Sequence, residues 1–259
     1  MKAGCITLCL LLVGHVTAMD LPSGHEPKPL SDEEIASRKE NFKNPEKLKA
    51  FLMDAFVEFD WSGAMTEPQQ IHAFKDGYDI KDTTIRSALL DIYRESVQKT
   101  GWKYGDNWQA EFRLHSAIFW MGIFADEPAK ELLLGIASDS AKDVFYRYPA
   151  IFGYIYCADL QEVRDLFTWL LDDEKRFPAN LRATFAEQIR RLWKSVETDK
   201  PKREVILASL STVADREKDV RTFRSLDDFL TQNNKEYAES FQRKASLERM
   251  SKTLEKDAQ

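Results

Sequence analysis

Apolar residues recur along this chain at intervals of three and four, and no stretch alternates apolar and polar over the length of a strand. Leu48, Phe51, Leu52, Ala55, Phe56 and Phe59 trace one such face. Ile85, Leu89, Ile92 and Ser96 trace the next. Val163, Leu166, Phe167, Leu170 and Leu171 form the cleanest pattern, over residues 160–174. Leu181, Phe185, Ile189, Leu192, Trp193 and Val196 follow, then Val205, Ile206, Leu210, Val213 and Ala214. Each is an amphipathic helix with one face turned to a core.

Start and stop residues divide these faces into separate helices. Ser31 and Glu34 make a capping box before a polar helix over 32–43. Pro45, Pro68, Pro128, Pro178 and Pro201 sit where helices open. Asp82 or Thr83 is the expected cap of the helix that carries Ile85. Asp106 or Asn107 caps the one that carries Trp108, Phe112, His115 and Phe119. A further helical stretch over 141–157 is expected to be interrupted at Pro149. The fold class expected is all-α.

From about residue 106 the helices alternate in pairs, and the second members start near 127, 160 and 201. Residues 129–139 can be laid on 163–173, so that Ala129, Leu132, Leu133, Ile136 and Ala137 meet Val163, Leu166, Phe167, Leu170 and Leu171. Such spacings suit helix pairs that bury their apolar faces on one another. Over roughly residues 80–217 the chain resembles a divergent HEAT- or armadillo-like α-solenoid. Pro149 is similar to the kink in the first helix of HEAT units. The resemblance is one of architecture and carries no specific motif. It implies stacked antiparallel helix pairs with a concave binding surface, and an irregular helical bundle is the alternative.

The two ends read differently. Residues 5–13 (CITLCLLLV) are an apolar run after Lys2, and Val16-Thr17-Ala18 offers small residues for cleavage. Residues 1–18 are therefore expected to be a secretory signal peptide, too short to span a bilayer. Residues 19–31 hold three prolines and read as a linker to a helical-repeat-like domain over 32–224. Residues 225–259 read as a polar helical tail, with Leu226, Phe229, Leu230, Tyr237 and Phe241 as a docked stripe.

Composition narrows this picture. Of 259 residues, 43% are apolar and 12% aromatic, so the chain can bury a sizeable core. The net charge of −6 argues against a general nucleic-acid binder. Cleavage after Ala18 would remove Cys5 and Cys9 and leave Cys157 alone, so no disulfide is expected within one mature chain. No second apolar run is long enough to span a membrane, so the mature protein is expected to be soluble, in the periplasm or outside the cell. No Asn-x-Ser/Thr sequon occurs.

Candidate chemistry is sparse. Glu111 and His115 are four apart on one helix, but no further ligand accompanies them, and no metal is expected. Cys157 lies in an apolar, aromatic run without a basic neighbour. Adjacent acids such as Asp126/Glu127, Asp172/Asp173 and Asp227/Asp228 sit at helix ends, where acids commonly cap. Phosphate-binding glycine motifs are absent, so no cofactor is expected. The residues expected to form a ligand or partner surface are Trp102, Tyr104 and Trp108 in the loop GWKYGDNW, and Arg190 and Arg191 within a basic strip with Arg182 and Lys194. The expected function is an exported helical binding or scaffold module for a protein or peptide partner. The alternative is an exported or cell-envelope enzyme of unrecognised class acting on glycan or peptide.

Overall fold

A computed structural model describes residues 30–58 and 68–257. Among the described residues every regular element is a helix, thirteen in all. They fall into two compact units that divide between Asp126 and Glu127. The expected signal peptide and most of the linker, together with Phe59, lie outside the described residues.

The first unit holds α1 (Asp32–Asn41), α2 (Pro45–Glu58), α3 (Pro68–Gly77), α4 (Asp82–Thr100) and α5 (Trp108–Ile123). Ser31 caps α1 through the expected box, accepting from the Glu34 N–H while Glu34 accepts from the Ser31 N–H. Helices α2, α4 and α5 pack mutually. Their core comprises Leu48, Leu52, Ile85, Leu89, Ile92, Leu114 and Ile118, all fully buried. Phe74 and Trp120 close it, with the Trp120 ring edge-on to Phe56 at 5.2 Å. The expected side-chain cap at Asp82 or Thr83 is absent. Lys81 holds the N-cap position of α4 and makes no side-chain cap.

The second unit holds α6 (Glu127–Ser138), α7 (Val144–Cys157), α8 (Leu160–Asp172), α9 (Ala179–Ser195), α10 (Lys200–Arg216), α11 (Val220–Asn233), α12 (Lys235–Glu239) and α13 (Phe241–Asp257). Packing skips one helix at a time: α7 on α9, α9 on α11, and α8 on α10. Start also lies beside start. Lys130 near the beginning of α6 pairs with Glu162 at the beginning of α8 at 2.8 Å, and Leu160 and Pro201 border one groove. Helix α6 also packs on α7, whose Arg147 reaches back to the end of α6. The packing suits an all-α bundle or solenoid, and helices start at Glu127, Leu160 and Lys200, beside the expected 127, 160 and 201. The first expected pair is divided, because α5 and α6 belong to different units.

Three expectations meet a different outcome in this unit. Helix α7 runs through Pro149 without a break. Phe241, expected in the docked stripe, is 79% exposed at the start of α13. The expected edge of the tail at residue 225 falls inside α11, whose Phe223, Leu226, Phe229 and Leu230 are all buried.

Cations recur at the carbonyl ends of helices. The Arg86 guanidinium donates to the Phe124 carbonyl at the end of α5, and Lys202 donates to the Tyr156 carbonyl near the end of α7. Arg147 does the same at the Ala137 carbonyl in the last turn of α6. Helix ends leave carbonyls without intrahelical donors, and a positive charge there also meets the negative end of the dipole.

Candidate functional site

The loop between α4 and α5 is built on backbone conformations that most residues avoid. Gly101 ends α4 at φ 53°, where its N–H donates to the Val97 carbonyl. Trp102 follows at φ 66°, a left-handed conformation that costs a bulky residue on the order of 1–3 kcal/mol. It is held there by its N–H to Thr100 Oγ1 and by its ring against Tyr93 at 5.9 Å. Gly105, at φ 115°, supplies a third such turn.

Glu111 secures the far side. Its side chain is buried, and one carboxylate oxygen accepts from the N–H groups of Gly105 and Asn107, both at 2.8 Å. Asn107 in turn caps α5 by accepting from the Ala110 N–H. Glu111 is therefore engaged in shaping the loop rather than free to pair with His115 around an ion. Among the described residues no group of His, Cys, Asp and Glu could hold a metal.

What the loop presents is aromatic. Tyr104 is 55% exposed and Trp108 is 57% exposed, with the Trp108 ring edge-on to Phe112 at 6.2 Å. Trp102 is only partly exposed and acts as the anchor of the loop. Replacing Glu111 by alanine is expected to cost about 1–2 kcal/mol and to loosen the loop without unfolding the unit. Hydrogen exchange at the Gly105 and Asn107 amides should then quicken by roughly tenfold or more. Unchanged exchange at both would show that the carboxylate does not hold the loop.

The basic strip on α9 divides on inspection. Arg190 and Arg191 are exposed, and Arg190 reaches Gln232 Oε1 at 3.3 Å. Arg182 does not join them, because it is buried and clasps Glu217. Periodicity alone could have found this. Arg182 lies three residues before Phe185 and seven before Ile189, on the core face of α9. The loop aromatics belong to the first unit and the α9 arginines to the second.

The other candidates are structural. Cys157 is half-buried and weakly bonded to the Tyr154 carbonyl, and burial pushes its thiol up to about 11. The paired acids are taken up locally: Asp126 by Arg86, Glu127 by Lys130, Asp172 by Arg216, Asp173 by Arg176. Asp227 is buried and accepts two bonds from Arg243 and one from the Tyr237 hydroxyl.

The periodicity did not reveal two grooves that flank α10. One, of about 560 Å³, lies between α8 and α10 over Phe167 and Val205, with Arg164 and Arg216 on its rim. The other, of about 740 Å³, lies between α10 and the corner formed by α11, α12 and α13. The only signal for them is the small-residue run Ala208, Ser209, Ser211, Thr212 on the outer side of α10.

Comparison with protein families, with known proteins and with solved structures returned no match.

Proposed function

We propose that the chain is an exported binding module whose aromatic loop grips a protein or peptide partner. The observation that carries this reading is the pinned loop itself. Tyr104 and Trp108 stand out from a backbone fixed by Glu111, by Thr100 and by positive φ at Gly101, Trp102 and Gly105. A loop fixed before binding loses little further entropy when a partner arrives. Trp and Tyr are also the side chains that most often dominate interface energies. At about 25 cal/mol per Å², covering even some 100 Å² of these rings adds roughly 2.5 kcal/mol, close to a hundredfold in affinity.

Export rests on the sequence of residues 1–18, an apolar run after Lys2 followed by small residues at Val16-Thr17-Ala18. Mass spectrometry of the secreted or periplasmic form should find Met19 as its first residue.

The test is affinity capture on immobilised chain, beside a Tyr104→Ala/Trp108→Ala variant. Both side chains are exposed, so the variant should fold as the parent does. A partner retained by the parent should be weakened about thirtyfold or more in the variant. Equal retention by both proteins would remove the loop as the binding surface.

A further inference from the structure

The last helix is held in place differently from the helices before it. Helix α11 buries Phe223, Leu226, Phe229 and Leu230. Over residues 241–252 of α13 the buried side chains are Ser246 and Met250, and Met250 is the one apolar side chain among them. Phe241 and Leu247 are exposed. One buried Met is little apolar area to hold a helix of 17 residues. Polar bonds do the rest. Arg243 forks onto the Asp227 carboxylate of α11 at 2.7 and 3.0 Å. Ser246 lies 3.5 Å from Asp215 in the last turn of α10, and Arg249 donates to the Glu217 carbonyl at 3.1 Å.

The seat of Arg243 is buried. Asp227 is 7% exposed and Tyr237 4%, and the Tyr237 hydroxyl donates to the same Asp227 oxygen that accepts from Arg243 Nε. Two parallel bonds to one carboxylate are the geometry a guanidinium makes best. Helix α13 also carries its own support. Ser240, extended at φ −71° and ψ 150°, is the single residue between α12 and α13. Its hydroxyl accepts from the Arg243 N–H, and Lys252 pairs with Glu248 one turn away at 2.8 Å. Neither bond involves another helix, so α13 can leave its seat as a helix.

We propose that α13 is a strap latched by Arg243 on Asp227, which opens at Ser240 while α6 to α11 stay folded. Opening uncovers the Asp227 carboxylate and the Tyr237 hydroxyl, a seat shaped for a guanidinium that the chain's own tail fills. The open fraction rises when the charge at the latch is removed or screened. The strap belongs to the second unit and does not depend on the aromatic loop.

The test is hydrogen exchange on the full chain, read by mass spectrometry at the amides of Ala245–Met250, whose helical acceptors lie within α13. In the parent these amides should exchange about tenfold or more faster than those of Phe223–Leu230 in α11. Arg243→Gln should quicken α13 about tenfold further and leave α9 and α11 within about twofold of the parent. Raising NaCl from about 0.05 to 0.5 M should quicken α13 about twofold or more in the parent, and not in Arg243→Gln. Exchange of α13 in step with α11 in the parent would overturn the proposal, because the helix would then belong to one block with the rest. So would Arg243→Gln exchanging at the parent's rate, or loosening α9 and α11 as much as α13. An equal response to salt in the two proteins would remove Arg243 as the latch.

Discussion

Replacing Glu217 by alanine is expected to destabilise the second unit by about 3–5 kcal/mol. Glu217 is 2% exposed, at the turn from α10 into α11. Arg182 of α9 clasps it with two bonds of 2.8 and 3.0 Å, and the Lys218 and Asp219 N–H groups donate to the same carboxylate. Removing the acid leaves a buried guanidinium with the Phe177 carbonyl as its close acceptor and the exposed Glu174 carboxylate 4.0 Å away. Much of the loss is that stranded charge, so Arg182→Met/Glu217→Leu should cost far less than Glu217→Ala alone. Urea unfolding of the three proteins, followed by circular dichroism, measures the difference. A double variant as weak as the single one would mean that the pair itself, and not the stranded charge, supplies the stability.

The same pair sets a pH dependence. Burial alone would raise the Glu217 carboxyl. The Arg182 guanidinium and the backbone N–H groups outweigh it, and the net shift is downward. The folded chain therefore holds this proton less readily than the unfolded chain. The stability it contributes is complete above the ordinary glutamate range, near about pH 4.5, and is lost as pH falls through the depressed value. The parent should weaken more on acidification than Arg182→Met/Glu217→Leu does.

Arg147→Ala is expected to cost about 3 kcal/mol, and to lower the melting temperature by roughly 6–12 °C. The Arg147 side chain is 2% exposed in the first turn of α7. Its Nε donates to the Ala137 carbonyl at 3.0 Å, and its Nη2 to the Arg176 carbonyl in the turn between α8 and α9. Burial lowers its affinity for the proton, and Asp139 opposes that shift. Arg147→Met keeps most of the volume but loses both donors, so it separates the two contributions. A Met variant near half the cost of the Ala variant is the expected result by calorimetry. A Met variant as stable as the parent would assign the whole effect to packing.

Much of the helical framework was legible in the apolar spacing, for a simple reason. Val163, Leu166, Phe167 and Leu170 each turn to the core at intervals that only a helix can satisfy. Pro178 and Asn107 fixed helix starts because a fixed φ and a short amide act locally. The failures lie where the determinant is distant. Phe241 fits the docked stripe by spacing, yet its exposure depends on how α13 leaves α12. The division at Asp126 depends on which helices share a core, and no single residue encodes it. The aromatic loop was found by composition, but the role of Glu111 was not, because an acid that accepts from two backbone N–H groups looks no different in sequence from a solvated one. Arg147 and Arg182 did leave a trace, as cations embedded in apolar faces.

The cations at helix ends bear on how the second unit comes apart. Ala137 and Tyr156 are carbonyls near the ends of α6 and α7, and their donors arrive from α7 and α10. Arg147 also needs the turn after α8, and Arg182 needs the end of α10. Helices α6 and α7 thus finish their hydrogen bonding only when a later helix is in place. A stack joined solely by apolar faces can fray from one end, one pair at a time. Here the coupling between neighbours is raised by charged bonds that span several helices, so partial stacks are penalised and the unit loses structure as a single cooperative block.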